Sequence, residues 1–310
     1  MLQPNEGSIL SILQLSRLRV EQIVASTHQV LARNLLPERL SLPTPCIVGL
    51  IFEQASHRTK NSFYTAATCL GASVLDLSET YRESCLRGES LSDFCHTAEC
   101  YVDCLVVRSA SSTLVAEIHG LVQVPVINAG NGRTEHPTQA LADLSVMRKH
   151  FGHLEKLKIS MVGCLRDSRC ANSLALLLAP FQVRISMICP AELALTQDYQ
   201  LLAEKRGATF QHRQSFTDAL KDDVLYFTSG TLAEDFANDA DYQRYRQWFT
   251  WPPGFLSHLS PHAIMLHPLP RGSELPRDVD QDVRLRIFEQ VRHGLAVRKV
   301  ILSTALGANF

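Results

Sequence analysis

A short polar segment after residue 55 concentrates side chains that could bind an anion. It reads Ser-His-Arg-Thr and consists of Ser56, His57, Arg58 and Thr59. The segment follows the apolar run CIVGLIF, which is typical of a buried strand, and it precedes a predicted helix. Backbone N–H groups at a helix start favour a phosphate group, and hydroxyl and guanidinium donors would complete its coordination. A plain helix cap by serine or threonine explains the same pattern, so both interpretations stay open from these residues alone.

Two further strand ends carry residues suited to an anion. Arg108 closes the run CLVVR, and an arginine at the mouth of a buried strand must reach solvent or meet an anion. The segment NAGNGRTEHPTQ predicts a glycine-rich turn at 128–132 and then a helix that opens at His136-Pro137, with Gln139 one turn in. The glycines alone indicate no more than a turn, but histidine and glutamine at a third strand end favour a site.

The second half of the chain repeats this arrangement with different side chains. In MVGCLRDSRCANS, Arg166 and Arg169 lie near a predicted helix start. In MLHPLPRGSE, His267 and Arg271 follow a predicted strand, and prolines on both sides of Leu269 predict a rigid bend that can include a cis peptide bond. The sequence shows no Walker loop, no Gly-x-Ser-x-Gly elbow and no metal-ligand spacing.

The elements that must position these residues follow from the alternation of short apolar runs with helical stretches. This alternation predicts α/β layers around parallel sheets, whose ligands gather at the carboxyl ends of the strands. Eight strands are predicted, at 46–52, 73–77, 104–108, 124–129, 158–163, 184–189, 224–228 and 263–267. Helices are predicted between them, for example at 60–70, 90–101, 113–120, 137–150, 170–180 and 195–205.

The strands fall into two sets of four, which predicts two doubly wound parallel-sheet (Rossmann-like) domains with a cleft between them. A chain of 310 residues is long enough for two cores. The predicted boundaries assign residues 1–147 plus 287–310 to one domain and residues 148–286 to the other. The last segment, 283–306, has helical periodicity and is expected to pack on the first half.

Composition argues against several classes of protein. The net charge of −1 gives no electrostatic reason to expect nucleic acid or an anionic membrane as a partner. No run approaches the roughly 18 apolar residues of a transmembrane helix, and the N-terminus lacks signal-peptide features, so we expect a cytoplasmic protein. The nine cysteines include no Cys-x-x-Cys pair and are expected to be mostly small, reduced core residues.

Together these motifs resemble the aspartate/ornithine carbamoyltransferase family, and specifically its aspartate branch. Residues 56–59 are similar to the family's Ser-Thr-Arg-Thr carbamoyl-phosphate motif, and RGESLSDF (87–94) is similar to its Lys-Gly-Glu-Thr/Ser-Leu-x-Asp loop. NAGNGRTEHPTQALADL resembles the family block that contains His-Pro-Thr-Gln, and LHPLPR has the form found in the aspartate branch. The similarity runs from about residue 46 to the C-terminus.

The resemblance implies attack of an amine on the carbamoyl carbon of carbamoyl phosphate, without a metal or organic cofactor. The implied carbamoyl-phosphate-binding residues are Ser56, His57, Arg58, Thr59, Arg87, Arg108, His136, Gln139, Pro268 and Leu269. The implied catalytic residues are Arg58, Thr59, Arg108, His136 and Gln139. The implied second-substrate residues are Arg169, Ser229, Thr231 and Leu269. By the same resemblance, Gln139 would meet the carbamoyl amino group, and the Leu269–Pro270 bond would be cis.

The resemblance also implies a homotrimer in which a loop around 83–87 enters a neighbour's site. Five residues depart from the family pattern: His57, Glu83, Arg87, Ser229 and Thr231. Ser229 and Thr231 stand where aspartate enzymes have Arg and Gln, so we expect a carbamoyltransferase whose acceptor preference is changed from aspartate. The alternatives are an ordinary aspartate carbamoyltransferase of pyrimidine biosynthesis and a non-catalytic homologue that acts as an interaction module.

Overall fold

The chain divides into two compact units. The computed structural model describes residues 7–32, 42, 44–213, 216–228, 238–246, 248, 254–272 and 274–308. The first unit comprises Met1–Ser145 together with Arg292–Phe310, and the second comprises Val146–Val291. Within the described residues, no helix is long and apolar enough to cross a membrane.

The first unit is built on a sheet of four parallel strands in the order β2-β1-β3-β4. The strands are β1 (Ile47–Phe52), β2 (Ser73–Asp76), β3 (Cys104–Ser109) and β4 (Val126–Asn131). The two inner strands, β1 and β3, consist largely of buried residues, as parallel strands covered on both faces require. The order reverses between β1 and β3, where Phe52 lies opposite Arg108. This reversal is the switch point at which doubly wound sheets hold ligands.

The second unit is built on five parallel strands in the order β7-β6-β5-β8-β9. They are β5 (Lys158–Val162), β6 (Arg184–Ile188), β7 (Thr209–Arg213), β8 (Val224–Phe227) and β9 (Ile264–Leu266). The order reverses between β5 and β8, so this unit has a switch point of its own. The predicted fold class, two doubly wound parallel-sheet α/β domains, is confirmed by the two sheets.

The helices connect these strands and cover the sheets. They are α1 (Arg17–Ala32), α2 (His57–Cys69), α3 (Ser78–Arg87), α4 (Leu91–Glu99), α5 (Leu114–Leu121), α6 (Pro137–Phe151), α7 (Arg169–Leu178), α8 (Gln197–Glu204), α9 (Asp239–Arg246), α10 (Phe255–His258) and α11 (Ile287–Ala305). In the first unit, Phe94 of α4 and Ile118 of α5 join Ile51 and Val107 in one core cluster. The helices therefore hold the sheet by burying apolar side chains, and the polar strand ends are left for other roles.

Two details of the strand prediction were wrong. The second sheet has a fifth strand, β7, which the sequence did not reveal because its residues, TFQHR, are mostly polar. β7 is an edge strand with no fully buried residue, so it carries no apolar run to recognise. Residues 130–131, predicted as part of a turn that follows the strand, belong instead to β4, and the chain turns only after them, at Gly132.

The cysteines follow the predicted pattern in part. All nine are free thiols. Five of them are buried, namely Cys46, Cys95, Cys104, Cys164 and Cys189, and burial raises the pKa of Cys95 to about 11. The buried thiols therefore pack as small apolar groups.

A two-point ion pair anchors the end of a helix in the second unit. Arg284 donates from Nε to Asp282 Oδ1 over 2.9 Å and from Nη2 to Asp282 Oδ2 over 2.6 Å. The same guanidinium donates to the carbonyl oxygens of Leu256 and Leu259 at the end of α10, each over 2.7 Å. These carbonyls have no partner within the helix, so Arg284 satisfies them. The hydrogen bond from Arg284 lowers the pKa of Asp282 below its ordinary value.

We expect Asp282→Asn to destabilise the second unit at neutral pH by roughly 1–2 kcal/mol, because it weakens charge-assisted hydrogen bonds. A carboxyl whose pKa is lowered by folding stabilises above its unfolded pKa of about 3.9, and loses that contribution as pH falls through the folded pKa. The difference from wild type should therefore shrink below about pH 4. Urea unfolding followed by tryptophan fluorescence measures it, since both tryptophans lie within residues 146–291. Exposed Asp278→Asn is the matched control, and an equal loss at pH 3 and pH 7 would contradict the charge argument.

Candidate functional site

The turn between β1 and α2 forms the first side of the candidate site. Ser56 is the N-cap of α2, and its hydroxyl accepts a hydrogen bond from the Thr59 backbone N–H over 3.3 Å. The helix cap is therefore present, and it leaves the other N–H groups of the first turn available to an anion. Thr59 is buried, whereas His57 and Arg58 are exposed on the same turn. The polar segment thus supplies one inward hydroxyl and two side chains that reach solvent.

Three side chains from separate strand ends meet at His136. Its Nε2 lies 3.5 Å from the Thr59 hydroxyl and 3.5 Å from Nη1 of Arg108. The same nitrogen of Arg108 donates to the carbonyl oxygen of Ala129 over 3.2 Å, which fixes the guanidinium above β4. His136 is 3% exposed and Thr59 is 6% exposed, so both are shielded from bulk water. Contacts of 3.5 Å are at the long limit of hydrogen bonding, and catalytic groups commonly tighten when substrate enters.

Gln139 lies next to this convergence. It is half-buried in the first turn of α6, and its Nε2 donates to Oδ1 of Asp143 over 2.7 Å. The predicted start of this helix at Pro137 is confirmed. Asp143 was not predicted as part of the site, although its i,i+4 spacing from Gln139 is the signal that could have indicated it.

Glu53 joins the two inner strand ends that carry the site. Its carboxylate accepts hydrogen bonds from the Ser109 hydroxyl and from the Ala110 N–H, the latter over 3.1 Å. Glu53 follows β1, and Ser109 ends β3, so the carboxylate links the strands directly beside Arg108. This link could not be predicted from local sequence patterns, because Glu53 and Ser109 are 56 positions apart.

Arg87 is placed differently from the residues around His136. It ends α3, its side chain is 80% exposed, and it forms an ion pair with Glu83 over 3.5 Å along the same helix. The two residues that depart from the family pattern in this loop therefore pair with each other. The prediction that Arg87 binds carbamoyl phosphate depends on a neighbouring copy of the chain, and it stays a prediction.

Pro268 and Leu269 lie in the second unit, in a loop held by a buried hydrogen-bond relay. His267 Nδ1 accepts from the Leu269 N–H over 2.8 Å, so Nε2 carries the ring proton and donates to Glu274 over 2.8 Å. The side chains of His267 and Glu274 are 0% and 1% exposed. Leu269 has a positive φ of 60°, and the predicted cis Leu269–Pro270 bond is confirmed. His267 and Glu274 thus stabilise the conformation of the loop through buried hydrogen bonds.

The arginines of the second unit differ in their partners. Arg169 begins α7 and is half-buried, and this burial lowers its pKa. Arg166 forms an ion pair with Asp167 over 3.1 Å, and Arg271 forms one with Asp280 over 2.5 Å. The two other predicted acceptor residues, Ser229 and Thr231, lie outside the residues that the structure describes. Across the described ranges, no group of three or more His, Cys, Asp or Glu side chains is arranged to hold a metal ion.

Family models match both parts of the chain. Residues 8–149 match the model described as aspartate/ornithine carbamoyltransferase, carbamoyl-P binding domain. Residues 155–305 match the model described as aspartate/ornithine carbamoyltransferase, Asp/Orn binding domain.

Curated relatives include single-activity and multifunctional proteins. The aspartate carbamoyltransferase catalytic subunit of Haloquadratum walsbyi is 32% identical over 305 residues, which cover 98% of this chain and 99% of that protein. The multifunctional protein ura1 of Schizosaccharomyces pombe is 34% identical over 306 residues, or 97% of this chain. The match covers 13% of ura1, so this chain spans only a small part of the multifunctional relatives.

Solved structures of aspartate transcarbamoylases are similar to this chain over almost its whole length. Aspartate transcarbamoylase of Trypanosoma cruzi, in complex with N-(phosphonacetyl)-L-aspartic acid, has a TM-score of 0.86 at 29% identity, covering 97% of this chain and 96% of that one. The catalytic subunit of aspartate transcarbamoylase of M. jannaschii has a TM-score of 0.85 at 28% identity, covering 96% of this chain and 97% of that one.

Arg108→Met should weaken the binding of carbamoyl phosphate, the ligand expected from the sequence, by roughly 10- to 100-fold, because hydrogen bonds to charged groups contribute about 1.5–3 kcal/mol. Methionine keeps much of the side-chain length and removes the charge. Calorimetric titration with carbamoyl phosphate measures the change, and the exposed Arg148→Met is the matched control. Equal affinity for carbamoyl phosphate in both variants would remove Arg108 from the site.

Proposed function

This chain belongs to the aspartate/ornithine carbamoyltransferase family, and we propose that it transfers the carbamoyl group of carbamoyl phosphate to the amine of an amino-acid-like acceptor. The family predicted from the sequence motifs is confirmed by the two matching family models and by the relative that aligns over its full length. The observation that carries the proposal is the convergence of Thr59 and Arg108 on His136 at the carboxyl ends of the inner strands.

The phosphate group would lie at the start of α2. The backbone N–H groups of that turn, the hydroxyls of Ser56 and Thr59 and the guanidinium of Arg58 supply donors for a dianion. Ser56 also caps the helix, so the same residue would hold both the turn and the ligand. His57 stands on this turn and is exposed, which leaves room for it to point away from the anion.

The carbonyl oxygen would lie where Thr59, Arg108 and His136 converge. The amine attacks the carbamoyl carbon, a C–N bond forms, the C–O bond to phosphate breaks, and the amine gives up a proton. Negative charge grows on the carbonyl oxygen and on the departing phosphate during this step. Donors that are already fixed stabilise that charge more in the transition state than in the ground state. Catalysis would therefore rest on positioning and electrostatics by residues of this chain.

His136→Ala should lower turnover by roughly 10²–10³-fold, as removal of one donor at a developing oxyanion does. The measurement is phosphate release from carbamoyl phosphate under saturating acceptor, with size-exclusion chromatography to show that assembly is unchanged. His153→Ala, an exposed histidine, is the matched control. Unchanged turnover in the His136 variant would exclude His136 from the mechanism.

We also propose that the chain assembles as a homotrimer in which α3 contacts a neighbouring copy. Leu86 is 83% exposed on α3 and lies beside the 80% exposed side chain of Arg87. Contact with a second copy would cover Leu86 and bring Arg87 near the neighbour's substrate. A cytoplasmic location stays a prediction from the sequence.

The acceptor is where the chain departs most from the aspartate enzymes. Ser229 and Thr231 replace the Arg and Gln of those enzymes, and residues 229–241 contain no Lys or Arg. Arg166 and Arg271 are the arginines that could supply the missing charge, but each forms an ion pair with a carboxylate of this chain. We therefore propose an acceptor other than aspartate, with aspartate itself as the second candidate because full-length relatives are aspartate carbamoyltransferases.

Phosphate release from carbamoyl phosphate, measured with aspartate and a panel of other amino acids and amines, tests the proposal. Release with another amine would identify the acceptor, whereas release with aspartate would show that the substitutions are compensated. No release across the panel, together with no binding of carbamoyl phosphate by calorimetry, would contradict the proposed function. The chain would then be a non-catalytic homologue.

Ser229→Arg combined with Thr231→Gln should increase kcat/KM for aspartate, because it restores a charge-assisted pair to a substrate carboxylate. Such a pair contributes about 1.5–3 kcal/mol, so an increase of roughly tenfold or more is expected. The matched control is Ser229→Met with Thr231→Gln, which adds length without charge. No increase for aspartate would indicate that the limitation lies with His57 or Glu83 in the first unit.

A further inference from the structure

We propose that Asp143, supported by the buried Arg298, fixes the orientation of the Gln139 amide and thereby makes the site select an acyl phosphate that carries an amino group. This inference rests on the proposed function and concerns positioning residues that do not touch substrate. Neither residue was among those predicted for the site.

The contact between Gln139 and Asp143 has only one chemically sensible polarity. An ionised carboxylate accepts hydrogen bonds and cannot donate them, so the amide nitrogen of Gln139 must face Asp143, as it does over 2.7 Å. The amide oxygen is then turned away from Asp143. A flipped amide would set two acceptors against each other at this distance. As long as Asp143 is ionised, Gln139 therefore presents an acceptor to its other side.

Arg298 keeps a positive charge next to this buried carboxylate. Asp143 is 0% exposed and Arg298 is 5% exposed. Burial lowers the pKa of Arg298 to about 10, while the negative charge of Asp143 acts in the opposite direction. The guanidinium thus stays protonated at neutral pH. A buried carboxylate without such a neighbour would favour its neutral form, which can donate and would allow the amide to flip.

Arg298 is itself held in place from two helices. Its Nη1 donates to the hydroxyl of Ser62 on α2 over 3.0 Å, and its guanidinium lies 5.3 Å from the ring centre of Phe63. On α11, Gly294 leaves space for it, since a Cβ at that position would lie 2.8 Å from Arg298 Nη1 and 3.8 Å from the Cβ of Ala142. The absence of a side chain at Gly294 therefore leaves space for the guanidinium and lets α11 lie close to α6.

The consequence for substrate follows from the chemistry of the acyl group. Carbamoyl phosphate carries an NH₂ that can donate to an amide oxygen, whereas acetyl phosphate carries a methyl group of similar size that cannot. A site that fixes an acceptor at this position loses a hydrogen bond with acetyl phosphate and leaves a polar atom unsatisfied, which costs about 1–3 kcal/mol. The orientation set by Asp143 should therefore give carbamoyl phosphate an advantage of roughly 10- to 100-fold.

The test compares carbamoyl phosphate, acetyl phosphate and inorganic phosphate on full-length protein and its variants. Calorimetry gives the three affinities, and phosphate release with the active acceptor gives kcat/KM for the two acyl phosphates. In Asp143→Asn, the new amide can donate to the Gln139 oxygen and permits the flip. We expect the preference for carbamoyl over acetyl phosphate to fall about tenfold or more, with affinity for inorganic phosphate unchanged.

Three further variants keep the test decisive if Asp143→Asn folds poorly. Gly294→Ala displaces the guanidinium without removing its charge, and Arg298→Lys retains a charge that Arg298→Met removes. The preference should fall in Gly294→Ala and in Arg298→Met, and Arg298→Lys should retain more of it than Arg298→Met. The exposed Asp198→Asn is the control, with melting temperatures recorded for all variants.

Each outcome bears on the inference. Equal weakening of all three ligands would indicate a general structural role and would overturn it, as would an unchanged preference in Asp143→Asn. Wild-type protein that binds carbamoyl and acetyl phosphate equally would also overturn it. A preference in binding that falls in the variants, without turnover for any amine, would support this inference and contradict the proposed function.

Discussion

The parallel pairing of β1 with β3, which sets Phe52 opposite Arg108, is the constraint on which the rest of the site depends. The strand order reverses between these strands, so their following segments leave to opposite faces of the sheet and open a crevice at the carboxyl ends. A register slip of one residue would turn Arg108 to the other face. Glu53 ties the two strand ends together, which keeps this register where the ladder ends.

A site for a dianion must concentrate positive charge without driving its own residues apart. The residues that meet at His136 do this with one arginine, Arg108, and the uncharged hydroxyl of Thr59. Lys60, directly after the polar segment, is bonded to Asp76 over 2.6 Å and so adds no uncompensated charge. Beneath the site, Arg298 and Asp143 balance each other in the interior. Lys60 and Arg298, two cations near the site, thus each have a carboxylate of the same unit beside them.

Local patterns in the sequence predicted the elements that carry apolar runs and the residues that end them. The inner strands, Arg108 at a strand end and the helix after His136 follow from features within a few residues, whereas the cis bond before Pro270 was predicted from the family resemblance. β7 was missed because an edge strand needs no apolar run. The contact between Ser62 and Arg298 joins residues 236 positions apart, and its partners look ordinary in isolation. Long-range polar contacts of this kind have no local signature, so the support beneath the site appears only in the fold.

The second unit has the same kind of doubly wound sheet, but two of its candidate arginines are paired with carboxylates of the chain. There, Arg166 and Arg271 are bonded to Asp167 and Asp280, so moving either to a ligand would leave a carboxylate unmatched. Arg169 is half-buried at the start of α7, and this burial lowers its pKa. The charges of Arg166 and Arg271 are thus already balanced within the chain. A carboxylate ligand that used either arginine would have to compete with Asp167 or Asp280 for it.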